Sequence, residues 1–325
     1  MVGGSGMKLS HYALFFVFFA ICIMVPLNIH ISQLSEIKEQ KIEYNRIIDN
    51  AVDDAVTKLV ETERGDAIVL NKEIAVQNFF TSLYSGFGIY DDVGKQEYLK
   101  MFIPIIMIVD RDGYYIYQHS LSADGTTNYE GWSEKRTYSY KDEVSGLILR
   151  FSLDNTVTIL DASINNILQG DYHDLAKYYT DVEILNNNEL FDTTRKQCII
   201  DHLTDDMKIS INVHNMIAQR EGIQYNFALP AVSDATWYRT IDDISFFAVF
   251  QGYPYKNSLG RYNRYAFGGA RIHKSGMYVI KEEDGIMYYH RYDCTSLSDT
   301  DRKNVYYTKK QCAILGAYPA EDCKP

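Results

Sequence analysis

An uncharged apolar run near the N-terminus constrains this chain more than any other feature. Residues 12–27 read YALFFVFFAICIMVPL without one charged side chain, and residues 28–31 extend the run weakly. A transmembrane helix needs about 20 mostly apolar residues, so residues 12–31 are just long enough to cross a bilayer. A cleaved signal peptide has a shorter apolar run that ends at a cleavage site of small residues, and no such cleavage site follows this run. We therefore predict an uncleaved signal anchor over residues 12–31.

The charges around this run predict its orientation. Lys8 lies before it on a short cytoplasmic arm, residues 1–11, and positive charge tends to stay on the cytoplasmic side. Met7 competes with Met1 as the true start of this arm. We expect a cell membrane protein with a single span, an internal N-terminus and an extracytoplasmic bulk on a bacterial cell surface.

Composition narrows the class of partner. The whole chain has 43 acidic and 32 basic side chains, and only Lys8 of the basic ones precedes the predicted span. This negative charge disfavours binding to nucleic acid. The partners that we expect are the membrane itself and other membrane or filament proteins.

The chain after the anchor predicts an α+β fold. Apolar residues recur every three or four positions after residue 32, which is typical of a helix that continues out of the membrane. We divide the remainder into a juxtamembrane helix at 32–63, a first α+β region at 64–160, a second α+β region at 161–287 and a Cys/His-containing tail at 288–325. The expected architecture is a transmembrane helix continuing into a stalk helix, then antiparallel sheets packed with one long helix.

Turn signals predict the local elements of the two α+β regions. The segment Asp110-Arg111-Asp112-Gly113 has the composition of a hairpin turn between two apolar strands, and Asp154-Asn155 predicts a second hairpin. A helix is expected from Asn71 to Tyr84, and a long one at 192–221 that ends before Gly222. Short strands are predicted at 224–229, 244–251, 265–272, 277–280 and 286–289.

The tail carries a pattern of metal ligands. His290 and Cys294 are four residues apart, a usual spacing for two zinc ligands, and Cys312 with Cys323 would complete a Cys₃His set. With four protein ligands such a zinc ion would be structural. The alternative is disulfide bonding, since an exported domain lies in an oxidising compartment and Cys198 makes the exported cysteines an even set.

The tail also resembles the short zinc-binding motif of Ada-type DNA repair proteins. The residues that carry the resemblance are His290, Cys294, Lys310, Ala313, Gly316, Pro319, Cys323 and Pro325. The first cysteine of that motif's closing Cys-x-x-Cys is Ala320 in this chain. The resemblance therefore implies the zinc site only if Cys312 substitutes for the missing ligand.

An arginine-rich segment at 260–271 is a second candidate binding feature. Arg261, Arg264 and Arg271 alternate with aromatic residues, a combination that can contact an anion or a glycan through charge and stacking. The alternative is an exposed loop that enters a strand. No Walker loop, Rossmann fingerprint, nucleophile elbow, zincin helix or EF-hand loop is present, so we do not expect an enzyme.

The N-terminal architecture resembles the Tad-type pilins and pseudopilins. The residues that carry it are 7–60, which combine a short positive arm, an apolar helix and its continuation towards a small antiparallel sheet. His11 departs from the family, which has a glutamate at that position. The resemblance implies a non-enzymatic structural or assembly component of a pilus-like surface apparatus.

Two alternative functions stay open. Residues 105–117 resemble strands of extracytoplasmic PAS-like or Cache-like domains, which implies a ligand-binding sensor module that works with a membrane partner. The tail and the arginine-rich segment would instead suit a surface binder of nucleic acid or glycan, although the net charge opposes the first of these ligands.

Overall fold

The computed structural model of the protein confirms an α+β fold. It describes residues 9–62, 68–121, 128–162, 166–256, 258–269, 278–283, 285–292, 294–298, 301–303, 305–306 and 309–321. The helices are α1 Leu9–Leu59, α2 Lys72–Gly86, α3 Val93–Lys100, α4 Tyr172–Ala176, α5 Glu183–Asn186, α6 Asn188–Arg220, α7 Asp234–Thr240 and α8 Lys309–Ile314, with a 3₁₀ turn at Asp301–Lys303. The strands are β1 Val60–Thr62, β2 Ile68–Leu70, β3 Ile105–Asp110, β4 Gly113–Leu121, β5 Asn128–Trp132, β6 Tyr138–Lys141, β7 Ile148–Phe151, β8 Thr156–Asp161, β9 Asn166–Asp171, β10 Ser245–Pro254, β11 Arg261–Gly269, β12 Tyr278–Glu283, β13 Ile286–Arg291, β14 Val305–Tyr306 and β15 Tyr318–Pro319.

The predicted anchor and stalk form one unbroken helix. Helix α1 continues through Pro26. It is long and apolar enough to cross a membrane, with a mean hydropathy of 2.4 in its most apolar window. None of that window is buried inside the protein. From Tyr44 onwards its apolar side chains are buried, including Ile48 and Ala51, except Val56, which is partly buried. The same helix is therefore exposed in its first part and a core element in its last part.

A five-stranded antiparallel sheet in the order β11-β10-β3-β4-β5 forms the centre of the fold. Helices α1 and α2 cover one face, where the ring of Phe246 lies 5.4 Å from that of Phe79. Helices α6 and α7 cover the other face, where Phe247 stacks on Trp237. Because both faces are covered, residues 246–250 of β10 form a continuous apolar run and do not alternate with polar residues.

Small residues allow α1 to lie close to its neighbours. Ala51 and Ala55 are fully buried on its inner face. A Cβ atom placed on Gly268 of β11 would lie 2.9 Å from Val56, and one on Gly86 of α2 would lie 2.5 Å from Ile47. Both distances are shorter than real Cβ contacts, so a larger residue at either position would force the neighbouring side chain of α1 to shift.

A second sheet, in the order β6-β7-β8-β9, joins the end of the first one. The fully buried Tyr138 makes the connection, because its hydroxyl donates hydrogen bonds to the carbonyls of Gly113, at 2.7 Å, and Asp110, at 3.1 Å. Both predicted hairpins, at Asp110-Arg111-Asp112-Gly113 and at Asp154-Asn155, are confirmed. The regions divided at residue 160 share the central sheet, since β3 pairs with β10.

The long helix is confirmed and one predicted strand is wrong. Helix α6 ends just before Gly222, which has a φ of +82°. The segment 224–229 is not a strand. The side chain of Asn215, on α6, bonds both backbone groups of Phe227, at 2.7 Å to its N–H and 2.9 Å to its carbonyl. These backbone groups are thus satisfied by a helix side chain instead of a neighbouring strand.

The C-terminal part has its own small sheet, in the order β14-β12-β13-β15. Its buried cluster consists of Tyr278, Tyr289, Cys312 and Ala317 and is separate from the main core. β11 covers Arg261–Gly269, so it begins four residues before the strand predicted at 265–272, whose last three residues lie outside the described residues.

Candidate functional site

The structure brings only part of the predicted ligand set together. His290 is buried in β13, and its Nδ1 lies 4.0 Å from the sulfur of Cys294, which is disulfide-bonded. Cys312 packs beside Tyr289, and because adjacent strand residues point to opposite faces, it lies on the other side of β13 from His290. Cys323 lies outside the described residues. Among the residues that the structure describes, no group of three or more His, Cys, Asp or Glu side chains could hold a metal ion. Zinc thus stays a prediction, and the described residues do not assemble its ligands.

Two other cysteines are buried free thiols. Burial raises the pKa of Cys198 to about 12 and that of Cys312 to about 11. The reactive thiolate is therefore scarce at neutral pH, and burial also keeps reagents away from both sulfur atoms.

These states predict a definite pattern of alkylation at pH 8. Cys198 and Cys312 should be labelled by iodoacetamide only after denaturation, whereas Cys294 should need a reductant as well. Peptide mapping by mass spectrometry would measure each site, with labelling at pH 6 as the control for thiolate dependence. Labelling of Cys294 after treatment with a chelator alone would support the zinc interpretation instead.

The three arginines of the predicted anion contact have different environments. Arg264 is committed to α1, where its Nη2 lies 2.5 and 2.6 Å from the two carboxylate oxygens of Asp49. Arg261 is exposed at the start of β11, and Arg271 lies outside the described residues. Arg264 therefore ties the sheet to the helix, and the anion-contact hypothesis for the segment stays a prediction.

A cleft that the sequence analysis did not identify lies between the two large sheets. Its volume is about 830 Å³, and it is bounded by the β3–β4 turn, the first residue of α2 and the polar face of the second sheet. We call it the basic cleft because, among the described residues, four cationic and two acidic side chains line it, namely Lys72, Arg111, Lys135 and Arg150 with Asp110 and Asp112.

Both acidic side chains of the basic cleft pair with one lysine. The Nζ of Lys135 lies 2.7 Å from Asp110 and also contacts Asp112. Burial lowers the pKa of Lys135, but the two carboxylates outweigh it and hold the pKa above its usual value. The ammonium group therefore stays charged and offsets one of the two carboxylate charges, so these three side chains together keep one negative charge.

Arg111 has a partner of its own behind the cleft wall. Its Nε lies 2.6 Å from Asp154, and its Nη2 donates to the Thr156 hydroxyl at 3.0 Å. Burial raises the pKa of Asp154, but Arg111 and the hydrogen bonds from Ser152 and Thr156 outweigh it, so the pKa lies below its usual value. This ion pair fixes the turn against the second sheet.

The remaining two cations, Lys72 and Arg150, have no acidic partner among the residues that the structure describes. Lys72 lies over the ring of Tyr115, 3.8 Å from its centroid, and Arg150 is exposed on β7. Neither makes an ion pair with another described residue. Arg150 is directly opposite Thr158 on β8, which is opposite Gln169 on β9, so three hydrogen-bond donors form a row across the sheet.

A sequence signal for this row did exist. Across the second predicted hairpin, Arg150 and Thr158 alternate with the buried Leu149 and Ile159. Such alternation gives one apolar and one polar face. The sequence could not show that the polar face would lie opposite Lys72, because that depends on how the two sheets meet.

Comparison with known proteins gives no relative from which a function could be transferred. No family model, no curated protein and no solved structure matches this chain. Its function has to be argued from its own residues.

Proposed function

We propose that this protein is a single-pass, membrane-anchored extracytoplasmic component of a surface apparatus of the pilus-like kind, with a structural or assembly role and no enzymatic one. The observation that carries the proposal is the continuity of α1. Its first part is exposed and apolar, and its last part is buried under the central sheet. A single helix of 51 residues fixes the folded head to its anchor without a hinge.

Such a helix suits an assembly component for a physical reason. Every apolar side chain between Leu14 and Ile31 is more than half exposed in the isolated chain except Ala20, which is partly buried. In a bilayer these side chains contact lipid, and in an apparatus they would contact the helices of neighbouring subunits. Lys8 precedes the apolar run in the sequence, which favours an internal N-terminus.

Cysteine cross-linking within the anchor tests the proposal. In a Cys22→Ser background, which leaves no other cysteine in the predicted span, one cysteine at a time at Leu14, Phe15, Phe16 or Val17 samples all sides of the helix, because successive residues are about 100° apart. If α1 packs against neighbouring helices, a membrane-permeable oxidant should give adducts at one or two of these positions, several-fold above the others.

The control is Tyr178→Cys in the same background, on an exposed part of the head. It should give few adducts, and a membrane-impermeant maleimide should label it on intact cells. Absence of adducts at all four anchor positions would contradict an assembly role. Absence of labelling at position 178 until the cells are lysed would contradict the extracytoplasmic location.

A ligand-binding sensor module is the second candidate function. The observation that favours it is the basic cleft, which is open to solvent and holds two cations without an acidic partner among the described residues. A partner that spans the membrane would have to carry the signal further.

A further inference from the structure

The charge of the basic cleft is opposite to that of the protein. The chain has a net charge of −11, yet the described part of the cleft is lined by twice as many cationic as acidic side chains. The two lining acids are both held by Lys135, and Arg111 is held by Asp154. Because Lys135 faces two carboxylates, that group keeps one negative charge, and the surplus of one positive charge among the described side chains of the cleft comes from Lys72 and Arg150.

Arg150 is placed to recognise an oxyanion. Its planar guanidinium can donate two parallel hydrogen bonds to a carboxylate or a phosphate. It makes no hydrogen bond or ion pair with another described residue, and the same holds for the side chains of Thr158 and Gln169 beside it. Since neighbouring strands are about 4.8 Å apart, this row of donors extends over roughly 10 Å.

The opposite wall offers a second cation and an aromatic surface. The half-buried Lys72 is held over the Tyr115 ring by a cation–π contact, which orients its ammonium group without neutralising it. The Tyr115 ring itself lines the cleft and presents an apolar surface. These features suit a ligand with more than one oxygen group and a compact carbon skeleton.

We propose that the basic cleft binds a small organic oxyanion, a carboxylate or a phosphate ester, with Arg150 as its principal contact and Lys72 as a second one. The volume of about 830 Å³ lies within the range of small-molecule sites, roughly 300 to 1,000 Å³. The proposal deepens the ligand-binding candidate function and does not depend on assembly through α1, so each can fail without the other.

Calorimetric titration of the full-length protein in detergent, with four anionic probes and one neutral control, would test the proposal. Citrate and succinate supply carboxylates, glucose 6-phosphate and inorganic phosphate supply phosphoryl groups, and glucose is the neutral control. We expect one of the two anion classes to bind with a dissociation constant below about 1 mM, and glucose not to bind. The affinity should fall as sodium chloride is raised, because salt screens the attraction between exposed charges.

Substitution of Arg150 and Lys72 tests whether the anion binds in the basic cleft. Arg150→Gln should lower the affinity at least tenfold and Lys72→Gln several-fold, while thermal unfolding without ligand stays unchanged. The matched controls are Arg46→Gln and Lys95→Gln, which remove exposed charges outside the cleft and should leave the affinity unchanged.

Three results would overturn the proposal. The first is the failure of all four anionic probes to bind. The second is binding that survives in the Arg150→Gln, Lys72→Gln double variant. The third is binding of a long polyanion such as heparin with no binding of the small anions, which would assign the charge to a polymer surface.

Discussion

Lysines at Phe19 and Ile23 should remove the protein from the membrane. Residues 12–31 contain twelve Leu, Ile, Val and Phe side chains, each of which favours insertion by about 0.3 to 0.6 kcal/mol. Together they supply roughly 4 to 7 kcal/mol. Each lysine near the centre of the span costs about 2.5 to 3.5 kcal/mol and also removes an apolar contribution, so the pair cancels the driving force for insertion.

Carbonate extraction of cell membranes would measure this effect. The natural protein should stay in the pellet, and most of the double lysine variant should appear in the supernatant. The control is the Phe19→Leu, Ile23→Leu variant, which keeps the apolar character and should stay in the pellet. If the lysine variant stays in the pellet as well, while a freshly prepared soluble marker is extracted, then α1 is not what holds the protein to the membrane.

The substitution Phe246→Ala should have the largest effect on the stability of the head. Phe246 lies on β10, an interior strand between β11 and β3, is fully buried, and packs with Phe79 between the sheet and α2. Removal of such a ring loses its transfer free energy and leaves a cavity, and the combined cost is about 3 to 5 kcal/mol. That cost is a large share of the stability of an ordinary domain, about 5 to 15 kcal/mol.

Urea unfolding of the full-length protein in detergent, followed by tryptophan fluorescence, would measure the change. Phe246→Leu keeps most of the volume and should cost less than about 1.5 kcal/mol. Tyr178→Ala removes an exposed ring and should change the free energy of unfolding by less than about 0.5 kcal/mol. Equal effects of the buried and the exposed substitution would contradict the placement of β10 at the centre of the fold.

Several elements of this fold could be predicted from local sequence because their causes are local. The apolar run at 12–31 and the 3–4 spacing after it both predict helix, and the structure joins them in α1. The turn Asp110-Arg111-Asp112-Gly113 and the glycine at 222 depend on backbone preferences of single residues, so they too were recognisable. The strand prediction at 224–229 was wrong because the side chain of Asn215, on α6, bonds the backbone of Phe227 in place of a neighbouring strand.

The candidate sites, in contrast, depend on contacts between residues that are distant along the chain. The ligand spacing of His290 and Cys294 was visible, but the sheet places Cys312 on the other side of β13. The arginine-rich segment was visible too, yet Arg264 forms an ion pair with Asp49 of α1. Neither partner relation could be read from the spacing, because each joins elements that are distant along the chain.

The sequence by itself determined that this protein has one N-terminal helix able to cross a membrane and an acidic α+β head. Hydropathy, periodicity and turn residues act over a few positions, so these properties need no knowledge of the rest of the fold. Only the tertiary structure decided that residues on both sides of position 160 share one sheet, and that Lys72 and Arg150 face the same cleft. Charge in a cleft depends on which side chains are neutralised by distant partners, and packing alone sets those partners.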